Sequence, residues 1–221
     1  PVENSTEGMV NHTLDCLANS ALTVCGEVEI PIQLHLLAKS GVQLSSIKKI
    51  CAHQQALAQA RNWLDSHCVD VERIAVASNG EAARMAAEDS NIAAIAGDLA
   101  VSEYGLDIVE KNIQDRETNT TRFLVVAKQA VPVSGKDKTS LMVSARNEPG
   151  ALLNLLKPFN DNGINMTRLT SRPSHTENWA YVFFMEFEGH EADPKINAIL
   201  DDLEAKSYAI KLLGSFPVAV F

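Results

Sequence analysis

Leu141-Met-Val-Ser-Ala145, Pro149-Gly-Ala-Leu-Leu-Asn-Leu-Leu-Lys-Pro-Phe159 and Asn162-Gly-Ile-Asn-Met-Thr-Arg-Leu169 follow one another with little chain between them. Their apolar spacing changes twice. Leu141, Val143 and Ala145 recur every second residue, the period of a strand with one buried face. Leu152, Leu155, Leu156 and Phe159 fall on one helical stripe, and Pro149 suits a first helical turn. Asn162-Gly163 ends that helix as a left-handed cap would, and Ile164–Leu169 returns to strand. Downstream, Trp179, Tyr181, Phe183, Met185 and Phe187 alternate as a third strand. Ile196, Ile199, Leu200 and Leu203 stripe a second helix, and Tyr208–Leu213 supplies a fourth strand. The order βαββαβ in about 80 residues is the ferredoxin-like split pattern.

Working outward, Val131-Pro-Val-Ser-Gly-Lys-Asp-Lys138 reads as a linker. Domains are therefore expected at 1–130 and 139–217, with 131–138 between them. The upstream part alternates strands and helices, which predicts an α/β domain with a mostly parallel sheet. Ser5 is expected to cap a helix bearing Met9, Val10, Leu14 and Leu17. Residues 24–36 alternate as one long strand, with Val24, Val28, Ile30, Leu34 and Leu36 on one side and Glu27, Glu29 and His35 on the other. Pro31 suggests an edge or a bend in it. Strands near 47–52, 73–77, 92–96 and 121–127 and helices over 54–66, after Ser78, and up to Tyr104 complete the expectation. Ser78 and Glu81 form a capping-box pattern.

The chain has 221 residues, is 21% charged and carries a formal net charge of −9, of which −7 lies on residues 1–134. That balance argues against a nucleic-acid partner. No apolar run approaches a membrane span and no signal segment opens the chain, so no membrane partner is expected. Cys16, Cys25, Cys51 and Cys68 have no C-x-x-C spacing and read as small buried side chains of a reducing cytoplasm. The six histidines form no metal pattern, and G-x-G-x-x-G, G-x-x-x-x-G-K-[ST] and G-x-S-x-G are absent. Neither a metal nor a cofactor is expected; any chemistry would run on ordinary polar side chains.

Four polar segments remain. Pro1-Val-Glu-Asn-Ser-Thr-Glu-Gly8 at a helix start could dock an anion, or Ser5 could simply cap. On the helix after Ala52-His53, Gln55 and Gln59 share a face and could reach a ligand or solvent. Glu117-Thr-Asn-Thr-Thr-Arg-Phe123 runs from a polar loop into a strand, the usual mounting of active-site residues. In a regular strand Thr121 and Arg122 face opposite ways, so they would not enter one pocket together; the plain alternative makes Arg122 a surface charge. Glu148-Pro-Gly-Ala-Leu-Leu153 and Thr170-Ser-Arg-Pro-Ser174 could hold a small polar ligand, or be ordinary turns.

Together these segments resemble one family. Pro1-Val-Glu-Asn-Ser5 with Gly8, the His53/Gln55/Gln59 helix and Asn119-Thr-Thr-Arg-Phe123 are similar to prephenate dehydratase, and Gly150-Ala-Leu-Leu153 with Ser171-Arg-Pro173 to its C-terminal ACT domain. The resemblance implies a carbon–oxygen lyase of L-phenylalanine biosynthesis that converts prephenate to phenylpyruvate. It implies a two-lobed, periplasmic-binding-protein-like dehydratase domain with the active site in its cleft. Thr121, Glu3 and Asn4 take the catalytic positions, with Thr121 acting on the departing hydroxyl as a hydrogen-bond donor or proton relay. Ser5, Gln55, Gln59, Arg122 and Phe123 take substrate-binding positions. Gly150, Ala151, Leu152, Asn165, Ser171 and Arg172 take the positions that bind L-phenylalanine as feedback effector, in a homodimer or higher oligomer formed through the ACT domain.

Three departures stand out. The family's Glu-Ser-Arg-Pro reads Thr170-Ser-Arg-Pro173, its Gly-Ala-Leu-Val reads Gly150-Ala-Leu-Leu153, and its Ser-His-Pro-Gln reads Ala52-His-Gln-Gln55. The family also has a first-lobe segment ahead of Pro-Val-Glu-Asn-Ser. The chain therefore reads as the C-terminal part of a monofunctional dehydratase or of a bifunctional chorismate mutase/prephenate dehydratase, and is expected to be weak or inactive alone. The alternatives are an arogenate dehydratase and a non-catalytic amino-acid-binding module.

Overall fold

A computed structural model describes residues 1–145, 148–174 and 181–219. In chain order the elements are β1 (Glu3–Asn4), β2 (Gly8–Met9), α1 (Asn11–Asn19), β3 (Thr23–Pro31), β4 (His35–Ala38), a 3₁₀ turn (Leu44–Ser46), β5 (Lys49–His53), α2 (Gln54–Gln59), α3 (Arg61–His67), β6 (Glu72–Val76), α4 (Asn79–Glu88), β7 (Ile92–Ala96), α5 (Leu99–Tyr104) and β8 (Asp107–Glu110). There follow β9 (Thr120–Ala127), β10 (Asp137–Ser144), α6 (Ala151–Asp161), β11 (Met166–Pro173), β12 (Tyr181–Glu188), α7 (Pro194–Lys206) and β13 (Ala209–Pro217). Trp179 lies outside the described residues. The chain forms two compact units, one of Pro1–Ile30 with Thr121–Phe221 and one of Pro31–Thr120, so it crosses between them at 30/31 and 120/121.

In the first unit, β10, β11, β12 and β13 form an antiparallel sheet in the order β11-β12-β10-β13. With α6 and α7 this is the expected βαββαβ arrangement. One sheet face packs on the two helices through Leu141, Val143, Met185 and Phe187 against Leu155, Phe159, Ile196, Ile199 and Leu203. The rings of Phe159 and Phe187 stand 4.8 Å apart at 52°. The opposite face is also covered. Phe184, Leu213 and Phe216 pack on Val2, Leu14, Leu17 and Val24 of the N-terminal segment. That is why β12 is apolar at consecutive residues rather than at alternate ones. At Gly214 (φ +144°) the two segments touch so closely that a Cβ would lie 2.2 Å from the Val24 carbonyl oxygen.

The same unit holds a small sheet, β2-β1-β9-β3. Here the structure corrects two expectations. Ser5 does not cap a helix: residues 3–9 form a tight antiparallel hairpin, and α1 begins later, after Val10, without a side-chain cap. The cause is Asn4, whose Oδ1 accepts the Thr6 and Glu7 N–H groups at 2.9 and 3.0 Å and closes a turn instead, with Gly8 at φ +84° completing it. The proposed helix-start anion site at 1–8 is therefore not formed. The long strand over 24–36 is two strands divided after Pro31, and its alternation fails: Val28 and Ile30 are exposed while Glu27 is buried.

The second unit is a five-stranded sheet, β6-β5-β7-β4-β8. β5 runs parallel to β6 and β7, but β4 runs antiparallel to β7 and β8, so the sheet is mixed rather than mostly parallel. Alanines at 82, 83 and 86 of α4 face alanines at 94 and 96 of β7, small contacts that bring helix and sheet close. The helix expected over 54–66 is two helices with a break at Ala60. Asp115 makes the break: its N–H donates to the Gln59 carbonyl, and its carboxylate accepts the Asn62 and Trp63 N–H groups at 3.0 and 3.1 Å, capping α3 from outside. The Ser78/Glu81 box forms, with Ser78 Oγ accepting the Glu81 N–H, while Glu81 reaches back to Ala77. Cys51 and Cys68 are buried, and burial pushes both thiols up; Cys16 is exposed, contrary to expectation.

Candidate functional site

β1 and β9 pair antiparallel with Asn4 opposite Thr121 and Glu3 opposite Arg122. This register brings three predicted catalytic residues onto neighbouring strands. Asn4 is buried, and its Nδ2 donates to Thr121 Oγ1 at 2.9 Å. The amide is oriented from both ends, because its oxygen is fixed by the Thr6 and Glu7 amides. Thr121 Oγ1 thus accepts from Asn4 and has its own hydrogen to donate elsewhere. Ser5 is exposed in the turn between β1 and β2, and Phe123 is half-buried two residues along β9 from Thr121.

Arg122 is not the surface charge of the plain alternative: its side chain is 6% exposed, and, as alternation predicts, it does not face the same way as Thr121. Its guanidinium donates to Glu27 at 2.6 Å and Glu186 at 2.9 Å, and its Nε lies 3.8 Å from Glu3. Lys138 Nζ donates to the other Glu27 oxygen at 2.8 Å. Arg168 pairs with Glu3, and its Nε lies 3.4 Å from Glu186. Three carboxylates and three cations therefore form one cluster. Glu3, Glu27 and Arg122 come from the N-terminal and β9 segments, and Lys138, Arg168 and Glu186 from the four-stranded sheet. Burial by itself would push the Glu27 carboxyl up, but Lys138, the Ala219 N–H and Arg122 hold it below the ordinary carboxylate range. Burial opposes the Arg122 charge, yet Glu186 and Glu27 push that guanidinium upward.

Sequence reasoning missed Glu27, Lys138, Arg168 and Glu186. A signal existed for one of them: Glu186 interrupts the apolar run Phe183-Phe-Met-Glu-Phe187.

Gln55 and Gln59 lie in the second unit. Gln55 is exposed on α2, with its N–H donating to Nδ1 of His53, the α2 cap. Gln59 Oε1 accepts from Asn119 Nδ2 at 3.1 Å, joining the helix to the segment that leads into β9. The predicted effector residues are divided as well. Gly150 (φ +80°) stands at the start of α6, and Leu152 packs into the helix-side core. Asn165 Nδ2 donates to Glu188 Oε1 at 3.0 Å. Thr170–Pro173 is strand, not turn, and pairs Ser171 with Phe183 and Arg172 with Val182, on opposite faces. Arg172 grips the Asp15 carboxylate of α1 with contacts of 2.8 and 2.9 Å. Among the described residues no group of three His, Cys, Asp or Glu could hold a metal ion, and no helix is long and apolar enough to cross a membrane.

Comparison with known proteins places this geometry in context. Residues 1–131 match the family "Prephenate dehydratase" and residues 139–205 match "ACT domain". A bifunctional chorismate mutase/prephenate dehydratase of Pseudomonas aeruginosa is 50% identical over 220 residues, spanning all of this chain and 60% of that protein. The chain thus covers about 60% of the length of the bifunctional relatives it matches. A crystal structure of prephenate dehydratase from Arthrobacter aurescens in complex with L-Phe is 35% identical with a TM-score of 0.89, over 98% of this chain and 73% of that one. A protein described as a novel type of quorum quenching acylase is 30% identical with a TM-score of 0.86, over 98% of this chain and 80% of that one. The chain belongs to the prephenate dehydratase family, with an ACT domain following its dehydratase segment.

Proposed function

We propose that the protein dehydrates and decarboxylates prephenate to phenylpyruvate, under feedback by L-phenylalanine bound to the ACT domain. The observation that carries the reading is the Asn4–Thr121 pair, in which Thr121 accepts at 2.9 Å and retains a hydrogen to give. Loss of carbon dioxide leaves its bonding electrons in the ring as the ring C–O bond breaks, and the hydroxide leaves as water once it gains a proton. Aromatisation drives the step. Threonine is too weak an acid to supply the proton outright at neutral pH. Thr121 therefore acts as an oriented donor, or as a relay from solvent, where charge develops on the leaving oxygen. Asn4 sets its direction.

Gln59 with Asn119 orders the segment that leads into β9. The two compact units crossed twice by the chain support a two-lobed, periplasmic-binding-protein-like reading of the dehydratase part. The L-Phe complex of the Arthrobacter relative supports binding of L-phenylalanine, which we assign to Gly150, Ala151, Leu152, Asn165, Ser171 and Arg172. The outermost position of β11 supports self-association through the ACT sheet. The test is turnover by the protein purified as its cell makes it, with prephenate and arogenate compared. Prephenate should yield phenylpyruvate, Thr121→Ala should lower kcat at least ~100-fold, and L-phenylalanine should inhibit. Absent turnover, or full activity of Thr121→Ala, refutes the assignment.

A further inference from the structure

β1 is only two residues long, yet it must hold Asn4 against Thr121. Two-residue pairings are weak by themselves, so what fixes this hairpin bears on the site. Behind it stands Arg168, on β11 of the ACT sheet. One of its guanidinium nitrogens pairs with Glu3, and the other lies 2.9 Å from the Met9 sulfur. Glu3 and Met9 are directly opposite each other in the β1–β2 hairpin, so a single planar group touches both strands. Arg168 is itself held from the side by Glu186 at 3.4 Å. Arg122 Nε approaches the same Glu3 oxygen at 3.8 Å.

We propose that Arg168 is a positioning residue for the dehydratase site: through Glu3 and Met9 it sets the β1–β2 hairpin, and so the direction in which Asn4 turns the Thr121 hydroxyl. The proposal rests on the reading of Asn4 and Thr121 given above. It makes the ACT sheet part of the catalytic framework as well as the carrier of an effector site. β11 also bears Thr170, Ser171 and Arg172, and its residues 168 and 172 face the same way, one onto Glu3 and one onto Asp15 of α1. A shift of β11 along its own axis would therefore reach Asn4 through one intervening residue, which gives the effector state a direct mechanical line to kcat. Planarity matters here. A lysine at 168 could keep the charge beside Glu3 but could not touch Met9 at the same time.

The test uses the protein as its cell makes it, with Arg168→Met, Arg168→Lys, Glu3→Gln and the Arg168→Met/Glu3→Gln pair. Arg168→Met should lower kcat about 10- to 100-fold, the scale of a small misplacement of a catalytic group, with KM changed less than about twofold. Arg168→Lys should recover part of the loss. The double variant should be no worse than the more damaged single one, because both remove one contact. L-phenylalanine should still bind Arg168→Met with a Kd within about threefold of normal, while its effect on kcat shrinks. A second readout is independent of turnover: the side-chain amide resonances of Asn4 should move in Arg168→Met and move back part of the way in Arg168→Lys. If Arg168→Met does not fold, Arg168→Lys and Glu3→Gln carry the same readouts. Wild-type kcat with unmoved Asn4 resonances overturns the proposal. Absence of turnover in the unaltered protein refutes the dehydratase reading instead, and the Asn4 resonances still decide whether Arg168 positions that group.

Discussion

Arg122→Met removes one cation from a cluster of three carboxylates and three cations and leaves the side-chain volume nearly unchanged. Glu27 keeps Lys138 at 2.8 Å and the Ala219 N–H at 3.0 Å, and Glu186 keeps Arg168 at 3.4 Å. The side chain of Glu27 is fully buried and that of Glu186 is 6% exposed. Breaking a buried pair costs about 3–5 kcal/mol, and the surviving partners put this case near ~3. At roughly 3 °C per kcal/mol for a chain of this length, melting should fall by ~9 °C at pH 7.

The pH dependence has a definite sign. Glu27 is held below its ordinary value of 4.5, so its contribution is complete above that value and is lost as pH falls through the folded value. In Arg122→Met, Glu27 loses one of the cations that hold it down and binds its proton at higher pH than before. The gap between variant and unaltered protein should then be widest near neutrality and close on acidification below about pH 4–5. Arg122→Met/Glu186→Gln restores the balance at two carboxylates and two cations, and should regain ~1 kcal/mol or more. Thermal and urea unfolding followed by circular dichroism at pH 7 and pH 4 measure all of this. A drop under ~3 °C in melting, or a gap that does not change with pH, refutes the description of the cluster as dry and mutually dependent.

Gly214→Ala should destabilise by about 3 kcal/mol or more, because its Cβ meets the Val24 carbonyl at 2.2 Å in a backbone conformation that side chains rarely adopt; the urea midpoint reads it. Lys211→Met removes the ammonium that donates to the Leu17, Ala18 and Ser20 carbonyls at 3.0, 2.9 and 2.6 Å, so amide exchange in α1 should speed up and stability fall by ~2 kcal/mol. Asp137→Asn should cost ~1–2 kcal/mol at pH 7, since the carboxylate accepts from Ser134 N–H and O–H and Gly135 N–H. Burial raises the Asp137 carboxyl, but those donors outweigh it and hold it below 3.8, so that difference should disappear as pH falls through its folded value.

The ACT half was legible because each of its elements carries an unbroken apolar period on its helix-packed side and its turns are marked by Pro149 and Asn162-Gly163. The upstream half was less so, for reasons visible in particular residues. A Ser-x-x-Gly stretch after Asn4 reads as a helix cap, but the Asn4 side chain binds the two amides that a helix start would leave open. The break between α2 and α3 is made by Asp115, which is more than fifty residues away in sequence and invisible to any local window. Glu27 was read on the polar side of a strand because period two has no means of showing that a buried cation waits opposite.

The Thr-Arg-Phe segment shows why the candidate site was only half readable. Alternation along β9 separates Thr121 from Arg122, and the structure follows it, but alternation cannot say what lies on the second face. There the partners of Arg122 come from positions 27 and 186, so the arginine expected at a substrate-binding position is neutralised at close range. Six charges that cancel within one cluster project little field beyond it. On the proposed dehydratase reading, attraction of an anionic substrate to a segment carrying −7 is then expected from exposed donors rather than from Arg122. It follows that substitution of Arg122 should act on kcat and stability through the placement of β1 and β9, and that the salt dependence of KM should hardly change. A KM that rises steeply on loss of Arg122, with kcat preserved, would instead mean that its charge reaches the substrate and that the cluster opens when substrate binds.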